Sequence, residues 1–147
     1  VFQGADFIVT HRHPEQVVAS VCALFCGTLG LYNDGDFSGF VGPAMMMSFG
    51  ETIRQHLLWR DSYPCDKVLD LAFDDVVTRE FDALAKVYAF LGLRLTQRSR
   101  QHVRDWLHMD ASRRVPSRQF ELATFGLDAQ QVNERFAPYI ERYANYL

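Results

Sequence analysis

Several things are scarce in these 147 residues, and each shortage removes a class of protein. Cysteine is limited to Cys22, Cys26 and Cys65, an odd number without disulfide-framework spacing, so a stapled secreted scaffold is excluded and a reducing, cytoplasmic setting is expected. Lysine is limited to Lys67 and Lys86, and the net charge is −3, which disfavours nucleic-acid binding through a broad basic surface. No apolar run approaches the roughly eighteen uninterrupted residues of a membrane span, and Val1 to Asp6 lacks the basic start and apolar block of a signal peptide. An initiating methionine is also missing, and an apolar stretch begins as early as Phe7. The chain is therefore expected to be one partial domain, residues 1–147, of a larger protein.

Against these shortages, 48% hydrophobic and 22% charged residues describe a globular chain with material for a core, which excludes disorder, collagen and coiled coil. Charge is unevenly spread. Residues 93 to 118 hold Arg94, Arg98, Arg100, Arg104, Arg113, Arg114 and Arg118 against only Asp105 and Asp110, inside an otherwise acidic sequence. Guanidinium groups form paired hydrogen bonds to phosphate or sulfate oxygens, so such a segment suits a compact anion. The first four arginines fit the solvated face of a helix. Arg113, Arg114 and Arg118 flank Pro116 in an expected loop and are the better ligand candidates.

Phe7 to Thr10 is a short apolar and β-branched run of the kind found in buried parallel strands. Pro14 then suits the first turn of a helix, which carries Val17, Val18, Val21, Cys22 and Phe25 at helical spacing and is expected to stop at Gly27. Cys22 and Cys26 share a face of that helix as small buried thiols. Gly27, Gly30, Gly35, Gly39, Gly42 and Pro43 predict a long loop. Met45, Met46, Phe49, Ile53 and Leu57 define a second helix ending near Trp59, and Lys67 to Phe73 a second strand with Asp74 and Asp75 after it. Phe81 to Leu91 forms a helical stripe closing at Gly92, and a further helix from about Gln97 carries Val103, Trp106 and Leu107. Asp128 caps a last helix with Val132, Phe136, Ile140, Tyr143 and Leu147 on one face. Two strands among about five helices do not complete a parallel sheet, so another stretch of polypeptide is expected to pair with them.

The segment Phe7 to Leu24, FIVTHRHPEQVVASVCAL, carries the chemistry. Arg12 stands at the strand end, and Ser20 lies about two turns into the following helix. A phosphate beside that first turn could take the guanidinium from one side and the hydroxyl from the other, with the helix dipole favouring the same charge. In its surroundings this segment resembles the 3′-phosphate-binding motif of sulfotransferases that use 3′-phosphoadenosine 5′-phosphosulfate (PAPS), with Arg12, Pro14 and Ser20 at the family's Arg, Pro and Ser positions. VLDLAFDDVV followed by FDALAKVYAFLGL is similar to the family's strand, acidic turn and helix, and RQFELATFGLDAQQVNERFAPYIERY to the closing segment of bacterial-type members.

The resemblance implies the C-terminal part of an α/β, P-loop nucleotide-kinase-like parallel-sheet fold, PAPS as cofactor, and transfer of a sulfuryl group to the hydroxyl or amine of a small-molecule acceptor. It assigns Arg12 and Ser20 to cofactor affinity and orientation. His13 stands where the family commonly has Asp, and Arg118 and Phe120 where its closing segment often has His and Tyr. The family's 5′-phosphosulfate loop, with its catalytic Lys or Arg, has no counterpart here: none of the nine glycines is followed by Lys. The catalytic residues are therefore not identified in this chain, and the chain alone is expected to be inactive.

Three other readings compete. His11 and His13 with Cys22 and Cys26 could face a metal ion, although the thiols begin more than two turns from the histidines, and no metal is expected. His11, His56, His102 and His108 could act as acids or bases, but none has a paired carboxylate in view, and no nucleophile elbow or Ser-His-Asp order is visible. A non-catalytic helical interaction domain with an arginine-rich anion or partner site is the alternative from a different class.

Overall fold

The computed structural model describes residues 4–111 and 120–147. In chain order its elements are β1 (Phe7–His11), α1 (Pro14–Gly30), α2 (Ser38–Ser62), β2 (Val68–Ala72), α3 (Phe73–Thr78), α4 (Glu80–Phe90), α5 (Gln97–Ala111) and α6 (Ala129–Arg142), with 3-10 turns at Cys65–Lys67, Leu122–Phe125 and Ala144–Tyr146. They fall into two compact units, Val1–Thr10 with Asp66–Arg118 and His11–Cys65 with Gln119–Leu147.

In the first unit β1 and β2 pair as a two-stranded parallel sheet. Val68 and Leu71 of β2 are buried, as a strand covered by helices requires. Lys67 and Asp6 form an ion pair at 3.0 Å just before the strands begin. The helical turn starts at Phe73, so the strand ends one residue sooner than the apolar run does; Asp74 and Asp75 then occupy the first turn of α3, where the dipole favours negative charge. Gly92, at φ 66°, closes α4: its N–H donates to the Ala89 carbonyl and the Leu93 N–H to the Tyr88 carbonyl, the left-handed ending that glycine adopts without a Cβ penalty. At the start of α5 the Thr96 hydroxyl accepts from the Ser99 N–H.

The second unit is helical. Val18, Cys22, Val41, Phe125, Val132 and Phe136 form its core, with Met45, Met46, Phe49 and Ile53 packed against them, so these two methionines fill space at its edge. Asp128 and Gln131 cap α6 reciprocally, the Asp128 side chain accepting from the Gln131 N–H at 2.8 Å and the Gln131 side chain from the Asp128 N–H. The last helix ends at Arg142, with Tyr143 as its cap and Leu147 beyond it.

Two expectations need correction here. Gly27 does not stop α1, which continues to Gly30; Gly27 lacks the positive φ of a helix-ending glycine. The long loop expected over Gly27 to Pro43 shrinks to residues 31–37, because Gly39, Gly42 and Pro43 are all inside α2. Gly42 serves contact rather than flexibility. A Cβ there would meet the Phe125 carbonyl oxygen, so only glycine lets the helix approach that backbone. Pro43 withholds one amide from the ladder, but the Gly39 carbonyl it would serve is on an exposed turn.

Candidate functional site

Everything assigned to the anion site except the late arginines lies in the second unit. His13 is the N-cap of α1 and Pro14 its first residue, so only Arg12 and His13 separate β1 from the helix. The cap has no side-chain hydrogen bond; instead the His13 carbonyl accepts from the N–H groups of Gln16 and Val17 at 3.0 and 3.3 Å. A first turn without a capping side chain is a favourable place for an anion.

Arg12 is half-buried directly ahead of this turn, and its Nε donates to Gln16 Oε1 at 2.8 Å. Gln16 and Ser20 are both exposed and are four residues apart, hence neighbours on one face of α1. The hydrogen bond ties the Arg12 side chain to the exposed residue one turn before Ser20. Ser20 itself is about 9 Å along the axis from Pro14. Glu15, the acidic residue of the first turn, is held by Asn133 of α6, whose Nδ2 donates to it at 2.7 Å. Arg12 thus stands at the start of α1, with exposed Gln16 and Ser20 following at one-turn intervals.

Behind this face lies a cluster that sequence reasoning missed. His11 is 1% exposed, hydrogen-bonded through Nδ1 to the Tyr139 hydroxyl at 2.9 Å, and stacked on Tyr143 with ring centroids 3.9 Å apart. His56 Nε2 meets the Tyr143 hydroxyl at 2.9 Å. The two imidazoles are thus bound into the aromatic packing of α2, α6 and the last turn. A hydrophobic-period scan treats these histidines as isolated, because their partners lie 87 and 128 residues away in the chain.

Other predicted residues are dispersed. Cys22 is in the core, where burial and the adjacent Cys26 push its thiol up to about 11; burial and Asp36 raise Cys26 as well. His102 and His108 are exposed on α5. Arg98 and Arg104 are exposed on the same helix, Arg104 over the Phe81 ring at 5.3 Å, while Arg94 precedes it. Arg113, Arg114 and Arg118 lie outside the described residues. In the first unit an apolar cavity of about 480 Å³ is lined by Ile8, Leu71, Leu84, Val87 and Trp106 and brings no cationic side chain to an anion.

A parallel pair of strands, with β1 leading through Arg12 to an uncapped helix start, and a helical second unit define an α/β fold. The chain belongs to the sulfotransferase family, whose model matches residues 1–97. Its fold is similar to a sulfotransferase from Mycobacterium avium, with a TM-score of 0.76 and 19% identity over 90% of this chain and 34% of that one. It is also similar to a sulfotransferase from Mycobacterium tuberculosis, with a TM-score of 0.63 and 24% identity over 89% of this chain and 33% of that one. The chain therefore spans about a third of the length of either structure. No curated protein gives a significant match. Among the described residues no helix is long and apolar enough to cross a membrane.

Proposed function

We propose that this chain is the C-terminal cofactor-binding portion of a PAPS-dependent sulfotransferase, with Arg12 and Ser20 holding the 3′-phosphate of the donor. What carries the proposal is Arg12 just ahead of α1, its Nε donating to the exposed Gln16, with the exposed Ser20 one turn further along the helix. The fit to a phosphate is chemical as well as geometric: a guanidinium, a hydroxyl and the positive end of a helix are all offered, and the nearby Glu15 carboxylate is engaged by Asn133.

When bound, PAPS supplies the activated sulfuryl group and a phosphate leaving group. Arg12 and Ser20 would grip the remote 3′ end, whose charge does not change as the sulfuryl group leaves. Their contribution is therefore to affinity and orientation, equal in ground and transition states. Charge developing on the leaving phosphate needs donors at the 5′ end. Those are assigned to polypeptide beyond this chain, which would also complete the sheet next to β1 and β2. Arg113, Arg114 and Arg118 are supporting candidates for the same anion on charge alone. The acceptor is a small molecule with a hydroxyl or amine, and the free thiols suit a reducing, cytoplasmic compartment.

The test is calorimetric titration of the intact enzyme with adenosine 3′,5′-bisphosphate. Arg12→Ala should weaken binding by about 1.5 to 3 kcal/mol, the scale of a charge-assisted hydrogen bond. Unchanged affinity would remove the assignment.

A further inference from the structure

We infer that the buried pair His11 and Tyr139 is a positioning device for Arg12, so that the C-terminal helix sets the aim of the anion-binding guanidinium. The inference rests on the assignment of Arg12 to the donor's phosphate. His11 is the residue immediately before Arg12, and among the described residues it is the one polar or charged side chain that is fully buried. Its ring is fixed in two directions at once: the Tyr139 hydroxyl meets Nδ1 at 2.9 Å, and the Tyr143 ring lies against its face at 3.9 Å and 21°. Tyr143 is in turn fixed by His56 from α2 through its own hydroxyl.

Packing alone does not call for this arrangement. An aliphatic residue would fill the site without needing a buried partner, whereas a buried imidazole is tolerated only when its nitrogen is satisfied. A hydrogen bond and a stacking plane constrain rotation as well as depth, which methyl groups do not. On the outer side, Arg12 has its Nε held by Gln16. The peptide between the two side chains is therefore clamped from within by α6 and its cap, and from without by α1. A guanidinium that must meet two phosphate oxygens at once tolerates only about 0.5 Å of error, so loosening the inner clamp should appear as lost affinity.

The experiment is a double-mutant cycle in the intact enzyme, read as the dissociation constant for adenosine 3′,5′-bisphosphate. Tyr139→Phe removes one hydroxyl and keeps the ring; it should weaken binding about three- to tenfold when Arg12 is present and leave it unchanged in the Arg12→Ala background. His11→Asn, whose amide can occupy the Nδ1 position and reach the Tyr139 hydroxyl, should retain more affinity than His11→Ala, and it provides the same comparison if Tyr139→Phe folds poorly. Equal weakening in both backgrounds, or no weakening with Arg12 present, overturns the positioning role while leaving Arg12 in place. Unchanged affinity in Arg12→Ala alone overturns both.

Discussion

Gly42→Ala sets two physical effects against each other, and the structure says which wins. In the interior of an exposed helix, alanine is favoured over glycine by about 1 kcal/mol, because glycine surrenders more backbone freedom on folding. At this position, however, the added Cβ would lie 1.9 Å from the Phe125 carbonyl oxygen, 3.0 Å from its carbon and 3.3 Å from Leu127 Cγ. Ordinary contact begins near 3.4 Å, so α2 and the Leu122–Phe125 turn must part by about 1.5 Å. The obstacle is backbone, which cannot rotate away as a side-chain tip can. Val41, Phe125 and Leu127 are all buried at this seam, and separating them loosens the core. Overpacking of this kind costs about 1 to 3 kcal/mol, and a backbone collision belongs at the upper end. Subtracting the helical gain leaves a net loss of about 2 kcal/mol, or roughly 4 to 8 °C of melting temperature for a chain of this size. Thermal melts followed by circular dichroism measure it, with Gly27→Ala as the companion variant. Gly27 is also helical, but nothing stands within 4 Å of its would-be Cβ, so that change should stabilise by up to about 1 kcal/mol. If Gly42→Ala melts at or above the parent temperature, the close approach is not a constraint and the reasoning fails.

Two further outcomes are expected. Thiol labelling of the folded protein at pH 8 should modify the exposed Cys65 first and leave Cys22 unmodified until denaturant is added, since Cys22 is buried with its thiol raised to about 11; rapid modification of Cys22 in the folded state would contradict that burial. The 147-residue chain by itself should transfer no sulfate from PAPS to an acceptor, and turnover by the purified chain would show that the phosphosulfate-binding loop lies within it.

The strand, turn and helix around Arg12 were legible because each rests on local chemistry: a β-branched run, a proline at the first helical position, and apolar spacing along α1. Asp128 at the start of α6 and Gly92 at the end of α4 were legible for the same reason. Gly42 misled because a glycine required by a neighbouring backbone looks, in sequence, like one required by a turn; only the position of Phe125 separates the two. Gln16 was passed over because the spacing of Arg12 and Ser20 draws attention to its ends, whereas the residue between them is the one that holds the Arg12 Nε. The partners of His11 and His56 were invisible to any periodicity, since tyrosines at 139 and 143 enter the site only through tertiary packing.

The contact between His11 and Tyr139 spans 128 residues of chain. Bringing two such distant points together in a flexible polymer costs about 4 kcal/mol of closure entropy, to be met before the contact gives anything back. During synthesis Arg12 is made well before Tyr139, so its inner support cannot form until the last turn of α6 has been made. The turn at Arg12 thus exists as sequence long before the contact beneath it can exist as structure. A chain cut short before Tyr139 would retain Arg12, Gln16 and Ser20, but not the support that holds the first of them in place.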